Sequence, residues 1–353
     1  MKVFAAPGPA QELQEIACDP PLPVGREVLL KVTHSGVCHS DTHSHAGAYD
    51  LGRRGQLSIV DRGLQYPAVF GHEIVGEVVA VGPEASGVTI GNTRLVFPWI
   101  GCGECARCRS GRTNLCRKST ALGVFRWGGF ATQVLVPDSD FLVDIDGLDP
   151  SWAATLACSG LTSFSAINRI LPLGADETIA VLGAGGVGLT AIALLSKLTE
   201  ARIVAVDVSD ERLALASELG AHTTVNSAAL EAGANLTSVL GEPIQAAIDF
   251  VNNGATFSLA FDSMDKAGIL VSIGLFGGES TIPNALLPLK TIEIVGSYVG
   301  NLEELKTLVE LAKTETLPRV PLIEKELNLK NVSESLQGLL EGTVSGRTIL
   351  TQR

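Results

Sequence analysis

The residue types that could do chemistry are concentrated in one short stretch, positions 36–43, which reads GVCHSDTH. It contains a thiol, a hydroxyl, a carboxylate and two imidazoles, a density that is unusual for a packed core. His72 and Cys158 are distant residues that could complete a metal site with Cys38. A Cys/His/Cys set leaves one zinc position open for water or substrate, which is the pattern of a catalytic zinc. Taken singly, each of the three residues is equally explained as a buried structural residue.

A second cluster contains four cysteines spaced C-x2-C-x2-C-x7-C, namely Cys102, Cys105, Cys108 and Cys116. Thiolates at this spacing can close a tetrahedron around zinc within one loop, which then gains folding energy from the metal. An iron–sulfur cluster is the first alternative, but the bacterial ferredoxin run has a shorter last gap followed by proline, whereas Arg117 follows here. A disulfide pair is the second alternative. The spacing favours a structural zinc.

A third motif, G-x-G-x-x-G, follows a predicted strand at 178–182 and opens a predicted helix at 187–198. In this context the glycines allow a tight turn and a close approach of the backbone to a pyrophosphate at the helix N-terminus. Asp207 ends the next predicted strand, about twenty residues on, where an acid can hold the adenosine ribose hydroxyls. A plain strand–helix turn followed by a capping aspartate is the alternative. The dinucleotide contacts are predicted at Gly183, Gly185, Gly186, Val187, Gly188 and Asp207.

The remaining sequence predicts the elements that must position these motifs. Short runs at 28–32 and 77–81 are rich in β-branched residues and have few helical signals near them, so the first third is expected to be β-rich. The glycine- and arginine-rich stretch 46–67 is expected to be a surface loop or a partly ordered excursion. After residue 151, strands alternate with helices, which is typical of βαβ units in a parallel sheet. Further strands are predicted at 202–207, 245–250, 268–273 and 292–296, and further helices at 210–219, capped by Asp210, and 302–313.

The composition narrows the class of protein. A length of 353 residues is enough for two domains, and 46% hydrophobic with 18% charged residues fits a globular protein. A formal net charge of -12 argues against nucleic acid as a partner. No apolar run is long enough to span a membrane, and the N-terminus lacks the apolar run of a signal peptide. We therefore expect a cytoplasmic enzyme with a small-molecule partner, whose seven cysteines lie in a reducing compartment.

The chain resembles the zinc-dependent alcohol dehydrogenases of the medium-chain dehydrogenase/reductase superfamily over nearly its whole length. It is most similar to their microbial, yeast-like and often tetrameric branch. The stretches that carry the resemblance are positions 36–41, 71–73, 102–116, 157–162, 183–188 and 295–300. The resemblance implies an α/β fold with two domains and an assembly into a tetramer or dimer. The catalytic domain would be a GroES-like β-barrel of residues 1–157 and 297–353, and residues 158–296 would form a doubly wound Rossmann domain that binds NAD.

The resemblance also implies a role for each site residue. The three ligands of the catalytic zinc match Cys38, His72 and Cys158. Asp41 matches the carboxylate that orients the ligand histidine, and Glu73 the acid behind the zinc. Ser40 matches the hydroxyl that binds the substrate oxygen, and His43 the imidazole that ends a proton relay through Ser40 and a cofactor ribose hydroxyl. The matched cofactor contacts are His39 and Arg347 for phosphate, Thr162 for nicotinamide, and Asp207 with Arg212 for the adenosine ribose.

The implied function is reversible hydride transfer between an alcohol and NAD, which gives an aldehyde or ketone, with two zinc ions per subunit. Reductases and polyol or aldehyde-adduct dehydrogenases of the same superfamily share every one of these motifs and remain alternatives. A zinc- and NAD-binding sensor without catalysis is a third alternative, although it has no need for an open metal position. One departure from the family is visible: the interval between His43 and His72 is longer than in yeast-type enzymes.

Overall fold

The computed structural model describes residues 1–231, 233–314 and 317–352. The strands are β1 Lys2–Ala6, β2 Gln14–Ala17, β3 Val28–Val37, β4 Ala48–Asp50, β5 Gln56–Ser58, β6 Ala68–Val69, β7 Glu73–Val81, β8 Thr93–Val96, β9 Gln133–Val136, β10 Leu142–Asp144, β11 Thr178–Leu182, β12 Arg202–Asp207, β13 Thr223–Asn226, β14 Ile244–Asp249, β15 Met264–Ser272, β16 Glu293–Gly296, β17 Leu322–Glu326 and β18 Arg347–Thr351. The helices are α1 His39–Ala46, α2 Ala106–Arg109, α3 Pro150–Thr155, α4 Leu161–Ile167, α5 Gly186–Leu198, α6 Asp210–Glu218, α7 Leu236–Leu240, α8 Gly254–Ser263, α9 Leu286–Lys290, α10 Leu302–Thr314 and α11 Leu329–Leu340.

Strands from both ends of the chain build the first sheet system. A seven-stranded sheet has the order β10-β8-β7-β3-β18-β17, with β9 also paired to β3, and a three-stranded sheet has the order β2-β1-β6. The long strand β3 is central because its apolar, partly β-branched residues are nearly all buried, and it pairs antiparallel with both β7 and β18. Phe4, Phe70 and Phe130 fill the adjoining core. The C-terminal part of the chain therefore returns to the β-rich region.

The second sheet is parallel throughout and has the order β13-β12-β11-β14-β15-β16. All five residues of β11 are buried, as expected of a central strand covered by helices on both faces. Strand order reverses between β11 and β14, so a crevice opens at the carboxyl ends of the strands, where ligands bind in doubly wound folds. The predicted combination of a β-rich region with a doubly wound parallel sheet is confirmed.

A continuous helical segment joins the two sheet systems. Asp149 caps the start of α3 by accepting a hydrogen bond from the Trp152 N–H at 2.8 Å, and α3 leads through a π-helical turn, Leu156–Gly160, into α4. All five residues of this turn are buried. π turns are rare and occur frequently at functional sites, and this one contains Cys158.

Several expectations about the elements are wrong. Helix α1 covers the His/Ser/Asp-rich stretch, where no helix was predicted. The stretch has no apolar stripe, so it carries no helical signal. Residues 46–67 contain an ordered hairpin of β4 and β5. The cap of α6 is Ser209, whose hydroxyl accepts from the Arg212 N–H at 3.4 Å, while Asp210 is the first helical residue. Strand β13 and helix α11 were not predicted. No helix in the described ranges is both long and apolar enough to cross a membrane.

Candidate active site

Asp41 fastens together the two segments that supply Cys38 and His72. Its Oδ2 accepts a hydrogen bond from the Cys38 N–H at 2.9 Å, and its Oδ1 accepts one from the Gly71 N–H at 3.1 Å. The same Oδ1 lies 3.1 Å from Nδ1 of His72. The Asp41 carboxylate is fully buried, and its contact with Nδ1 holds the imidazole in one orientation. Nε2 then faces the cluster.

Cys158 completes a buried three-residue cluster with Cys38 and His72. The two Sγ atoms lie 3.8 Å apart, and the ligand atoms of all three residues lie within 4.8 Å of one another. Two thiolates at about 2.3 Å from a tetrahedral zinc would be separated by about 3.8 Å. Neither ring nitrogen of the buried His72 makes a hydrogen bond of good geometry among the described residues; Nδ1 lies 3.1 Å from Oδ1 of Asp41, and a metal bond would supply the missing partner of Nε2. The donor set therefore fits zinc with one position open.

Glu73 and Arg347 form a buried ion pair beside this cluster. Nη2 of Arg347 donates to Oε2 of Glu73, and the Ser159 N–H donates to Oε1 at 3.1 Å. Burial raises the pKa of Glu73, while the charge of Arg347 acts in the opposite direction. Arg347 also touches the glycine turn, since a Cβ at Gly186 would collide with its side chain. The guanidinium thus lies between the metal cluster and the cofactor turn, and its Nε has no partner within the described chain.

The four-cysteine loop forms a second, closed cluster. Sγ–Sγ distances are 3.5 Å for Cys105–Cys108, 3.8 Å for Cys105–Cys116 and 4.0 Å for Cys102–Cys108. These distances are too long for disulfides, and all four cysteines are free. The N–H groups of Cys102 and Lys118 point at Sγ of Cys116, at 3.4 and 3.3 Å, as expected around a thiolate ligand. The set fits one tetrahedral zinc ion with no position left for substrate.

Aromatic and polar side chains surround the approach to the three-residue cluster. Oγ of Ser40 lies 3.7 Å from Sγ of Cys38, and burial lowers the pKa of His43 to about 4, so His43 is neutral at pH 7. The Tyr49 ring is 5.3 Å from His43, and the buried Trp99 ring is 5.2 Å from His72. Trp99 is fixed by a 2.9 Å hydrogen bond from its Nε1 to the Ala157 carbonyl.

A cavity of about 1120 Å³ opens beyond these aromatic residues. Tyr49 and Tyr298 line it, as do residues of the four-cysteine loop and of the loops that follow β14 and β15. Tyr298 was not singled out from the sequence, although its ring lies 6.0 Å from Trp99. Nothing in its local sequence indicates this position, because it is brought there by the return of the chain from β16 to α10.

The glycine turn and Asp207 meet at the carboxyl ends of β11 and β12. Gly183 has a φ of +90°, and a Cβ at Gly188 would collide with the Gly183 carbonyl, so both positions require glycine. Oδ2 of Asp207 accepts from the Ala184 N–H at 2.7 Å, which binds the acid to the turn. Nη1 of Arg212 lies 3.8 Å from Oδ1 of Asp207. These residues lie where a dinucleotide would bind. Thr162, the predicted nicotinamide contact, is buried in α4.

The hairpin of β4 and β5 contacts the parallel-sheet side of the cleft, which the sequence did not indicate. Arg53 forms an ion pair with Glu279, and a Cβ at Gly277 would lie 2.7 Å from atoms of Asp50. Next to these contacts, the rings of His39 and Phe276 stack with centroids 4.7 Å apart. The longer interval between His43 and His72 therefore forms part of the cleft wall.

Comparisons with known proteins agree with this geometry. Residues 25–147 match the model of the alcohol dehydrogenase GroES-like domain, and residues 186–314 match that of the zinc-binding dehydrogenases. The chain is 34% identical to an NAD-dependent alcohol dehydrogenase of Saccharolobus solfataricus, over 97% of both chains. It superimposes with a TM-score of 0.89 on the alcohol dehydrogenase of Aeropyrum pernix, at 27% identity and full coverage of both chains. It also resembles acetophenone reductase from Geotrichum candidum, solved with NAD, with a TM-score of 0.84, 27% identity and coverage of 99% and 96%.

The fold and the two cysteine-containing clusters define an oxidoreductase of the medium-chain, zinc-binding type. The chain belongs to the zinc-dependent alcohol dehydrogenase family.

Proposed function

We propose that the protein oxidises primary or secondary alcohols to aldehydes or ketones with NAD, and catalyses the reverse reaction. The observation that carries this proposal is the buried Cys38/His72/Cys158 set, in which Nε2 of His72 lacks a partner and a fourth metal position is left open. A sensor without catalysis has no need for that open position. The name of the relative from Saccharolobus solfataricus supports the same reaction and cofactor.

Each residue of the site has a role in this proposal. Cys38, His72 and Cys158 would hold the catalytic zinc, which would supply a Lewis acid that lowers the pKa of the alcohol. Ser40 would bind the substrate hydroxyl, accept its proton and pass its own proton through a cofactor ribose hydroxyl to His43, which can accept it because it is neutral at pH 7. The bound NAD would supply the hydride acceptor.

The remaining residues position these groups. Asp41 orients His72, and Glu73 lies behind the zinc with its charge balanced by Arg347. Cofactor phosphate would meet His39, Arg347 and the N–H groups of the glycine turn, while Asp207, with Arg212 beside it, binds the ribose hydroxyls. Thr162 would contact the nicotinamide. Cys102, Cys105, Cys108 and Cys116 hold the second zinc.

The organisation of the chain is also part of the proposal. Residues 1–157 and 297–353 form the catalytic domain and residues 158–296 the NAD-binding domain, which the division of the strands between two sheet systems supports. Arg353 lies outside the described residues. We propose a cytoplasmic homo-oligomer, a tetramer or dimer. The yeast-like branch remains a prediction.

The experiment is a steady-state assay of the zinc-loaded protein with NAD and a panel of primary, secondary and aromatic alcohols, followed by the absorbance of NADH. His72→Ala is the inactive reference, and His222→Ala, a change of a distant exposed histidine, is the matched control. Turnover of at least one alcohol by wild type and control, but not by His72→Ala, is expected. Equal NADH formation by all three proteins would contradict the proposal. If a polyol tested beside this panel reacts and none of the panel alcohols does, the polyol dehydrogenase alternative is favoured.

A further inference from the structure

The outer part of the cleft contains more cations than carboxylates, although the whole chain has a net charge of -12. The cavity is lined by four cations, Arg62, Arg107, Arg117 and Lys118, and by three carboxylates, Asp50, Asp61 and Glu279. Glu279 is already paired with Arg53, and Asp50 accepts a hydrogen bond from the Gly52 N–H at 3.0 Å. Among these lining side chains the cations exceed the carboxylates by one, since four face three.

Arg62 is held at this mouth by an ordered turn. The Arg62 N–H donates to the Ile59 carbonyl at 3.1 Å, and the Ile59 N–H donates to the Gly47 carbonyl at 2.8 Å, directly after α1. Ile59 and Leu64 are 2% and 3% exposed, so the turn is anchored in the core. None of the ion pairs formed within residues 1–231, 233–314 and 317–352 involves Arg62. Its guanidinium is exposed and free to bind an anion.

The charge of Arg62 reaches both aromatic walls of the cleft. Burial raises the pKa of Tyr49, and the charge of Arg62 acts to lower it; the same charge acts on Tyr298, which is 46% exposed. The Tyr49 ring lies 5.3 Å from His43, and the Tyr298 ring lies 6.0 Å from Trp99, which adjoins His72. Tyr49 and Tyr298 line the same cavity as Arg62, so a substrate that extends from the three-residue metal cluster past these rings would meet the guanidinium.

We infer that Arg62 makes the enzyme select alcohols and aldehydes that carry a carboxylate several bonds away from the reacting carbon. The inference rests on the proposed dehydrogenase function and names its substrate class. Arginine presents a rigid fork of donors that matches a carboxylate, and such charge-assisted hydrogen bonds are stronger than neutral ones. Lys118 and Arg117, which line the same cavity, add to the attraction, while Asp61 opposes it.

The test compares 4-(hydroxymethyl)benzoate with its neutral isostere 4-(hydroxymethyl)benzamide. For the zinc-loaded wild type with NAD, kcat/KM should favour the benzoate. In Arg62→Gln this preference should fall about two- to fivefold through a lower kcat/KM for the benzoate, because an exposed ion pair is removed. Asp61→Asn should increase the preference. Arg54→Gln, which removes an exposed arginine of the β4/β5 hairpin that does not line the cavity, should leave the preference unchanged.

Calorimetric titration of the two compounds into the zinc-loaded protein with NAD provides a readout that is independent of turnover. Weaker binding of the benzoate, but not of the benzamide, to Arg62→Gln supports the inference. The inference is overturned if the ratio of kcat/KM for the benzoate to kcat/KM for the benzamide is the same in wild type and Arg62→Gln. If neither the alcohol panel nor these two compounds are oxidised, the proposed function fails. The titration still decides whether Arg62 binds the carboxylate. Equal thermal unfolding of both proteins would establish that the change is local.

Discussion

Oδ1 of Asp41 lies 3.1 Å from Nδ1 of His72, and both side chains are fully buried. Because the carboxylate also binds the Cys38 N–H, Asp41→Asn should weaken the orientation of two metal ligands at once. We expect a loss of about 10- to 100-fold in affinity for the catalytic zinc, with the four-cysteine zinc retained. The measurement is zinc content after dialysis against graded chelator. Asp19→Asn, at an exposed aspartate far from the site, is the control, and equal zinc loss in both variants would contradict the prediction.

The two clusters should have separable roles. Cys108→Ser should lower the melting temperature and remove one zinc ion per chain, because the closed loop gains its folding energy from the metal. His72→Ala should remove the other zinc ion and abolish turnover, while the melting temperature changes less. Metal analysis combined with thermal unfolding checks both results. A single zinc ion per wild-type chain, lost equally in both variants, would exclude this assignment.

The proton path should depend more on Ser40 than on His43. Ser40→Ala should lower kcat by at least about 100-fold, within the range of positioned acid–base groups, because the hydroxyl lies next to the metal cluster. His43→Gln should have a smaller effect that is partly restored by added buffer bases, since solvent can accept the proton further out. Rates at several buffer concentrations distinguish the two variants. Activity of Ser40→Ala close to that of wild type would remove the relay.

His43 should also contribute to the pH dependence of stability. Its pKa is lowered from 6.5 to about 4 by burial, so the unfolded chain binds this proton first as the pH falls. The stability linked to His43 is fully present above pH 6.5 and is lost as the pH falls from 6.5 toward about 4. The melting temperature should therefore fall more steeply for wild type than for His43→Gln between pH 6.5 and 5. Parallel curves would show that His43 titrates normally.

Cofactor choice should follow Asp207. The carboxylate can accept bonds from both ribose hydroxyls of NAD and repels the 2′-phosphate of NADP. Asp207→Ser should shift preference toward NADP, because it removes the repulsion and frees the Arg212 guanidinium that lies 3.8 Å away. The ratio of kcat/KM for the two cofactors measures this, with the exposed Asp262→Ser as control. A wild-type ratio that favours NADP would contradict the argument at its first step.

Sequence patterns predicted the parallel sheet well because its strands are buried apolar runs. Strands 178–182 and 202–207 were predicted to the residue, since burial on both faces leaves a continuous signal. Helix α1 gave no such signal, because it is polar and is held by contacts of Asp41 rather than by an apolar face. The β4/β5 hairpin was missed for a related reason: its short strands do not alternate, and it gains its order from contacts with the loop at Glu279.

The same distinction applies to the site. Local spacing predicted the four-cysteine cluster and the glycine turn. The Cys38/His72/Cys158 set was predicted from residue types and from the family resemblance, because two of its members lie 120 positions apart. The side chains that line the outer cleft, such as Tyr298 and Arg62, come from distant parts of the chain. Their positions depend on how the two sheet systems face each other, which no local pattern encodes.

The π turn at Leu156–Gly160 places one metal ligand in the joint between the two sheet systems, whereas Cys38 and His72 belong to the β-rich side. The turn is tied to the β-rich side, because the Ser159 N–H donates to Glu73 and Nε1 of Trp99 donates to the Ala157 carbonyl. The three ligands would therefore stay together in any movement of the parallel sheet that bends the chain after this turn. Displacement in such a movement would grow with distance from the bend and would be felt at the cleft rim, where Phe276 meets His39.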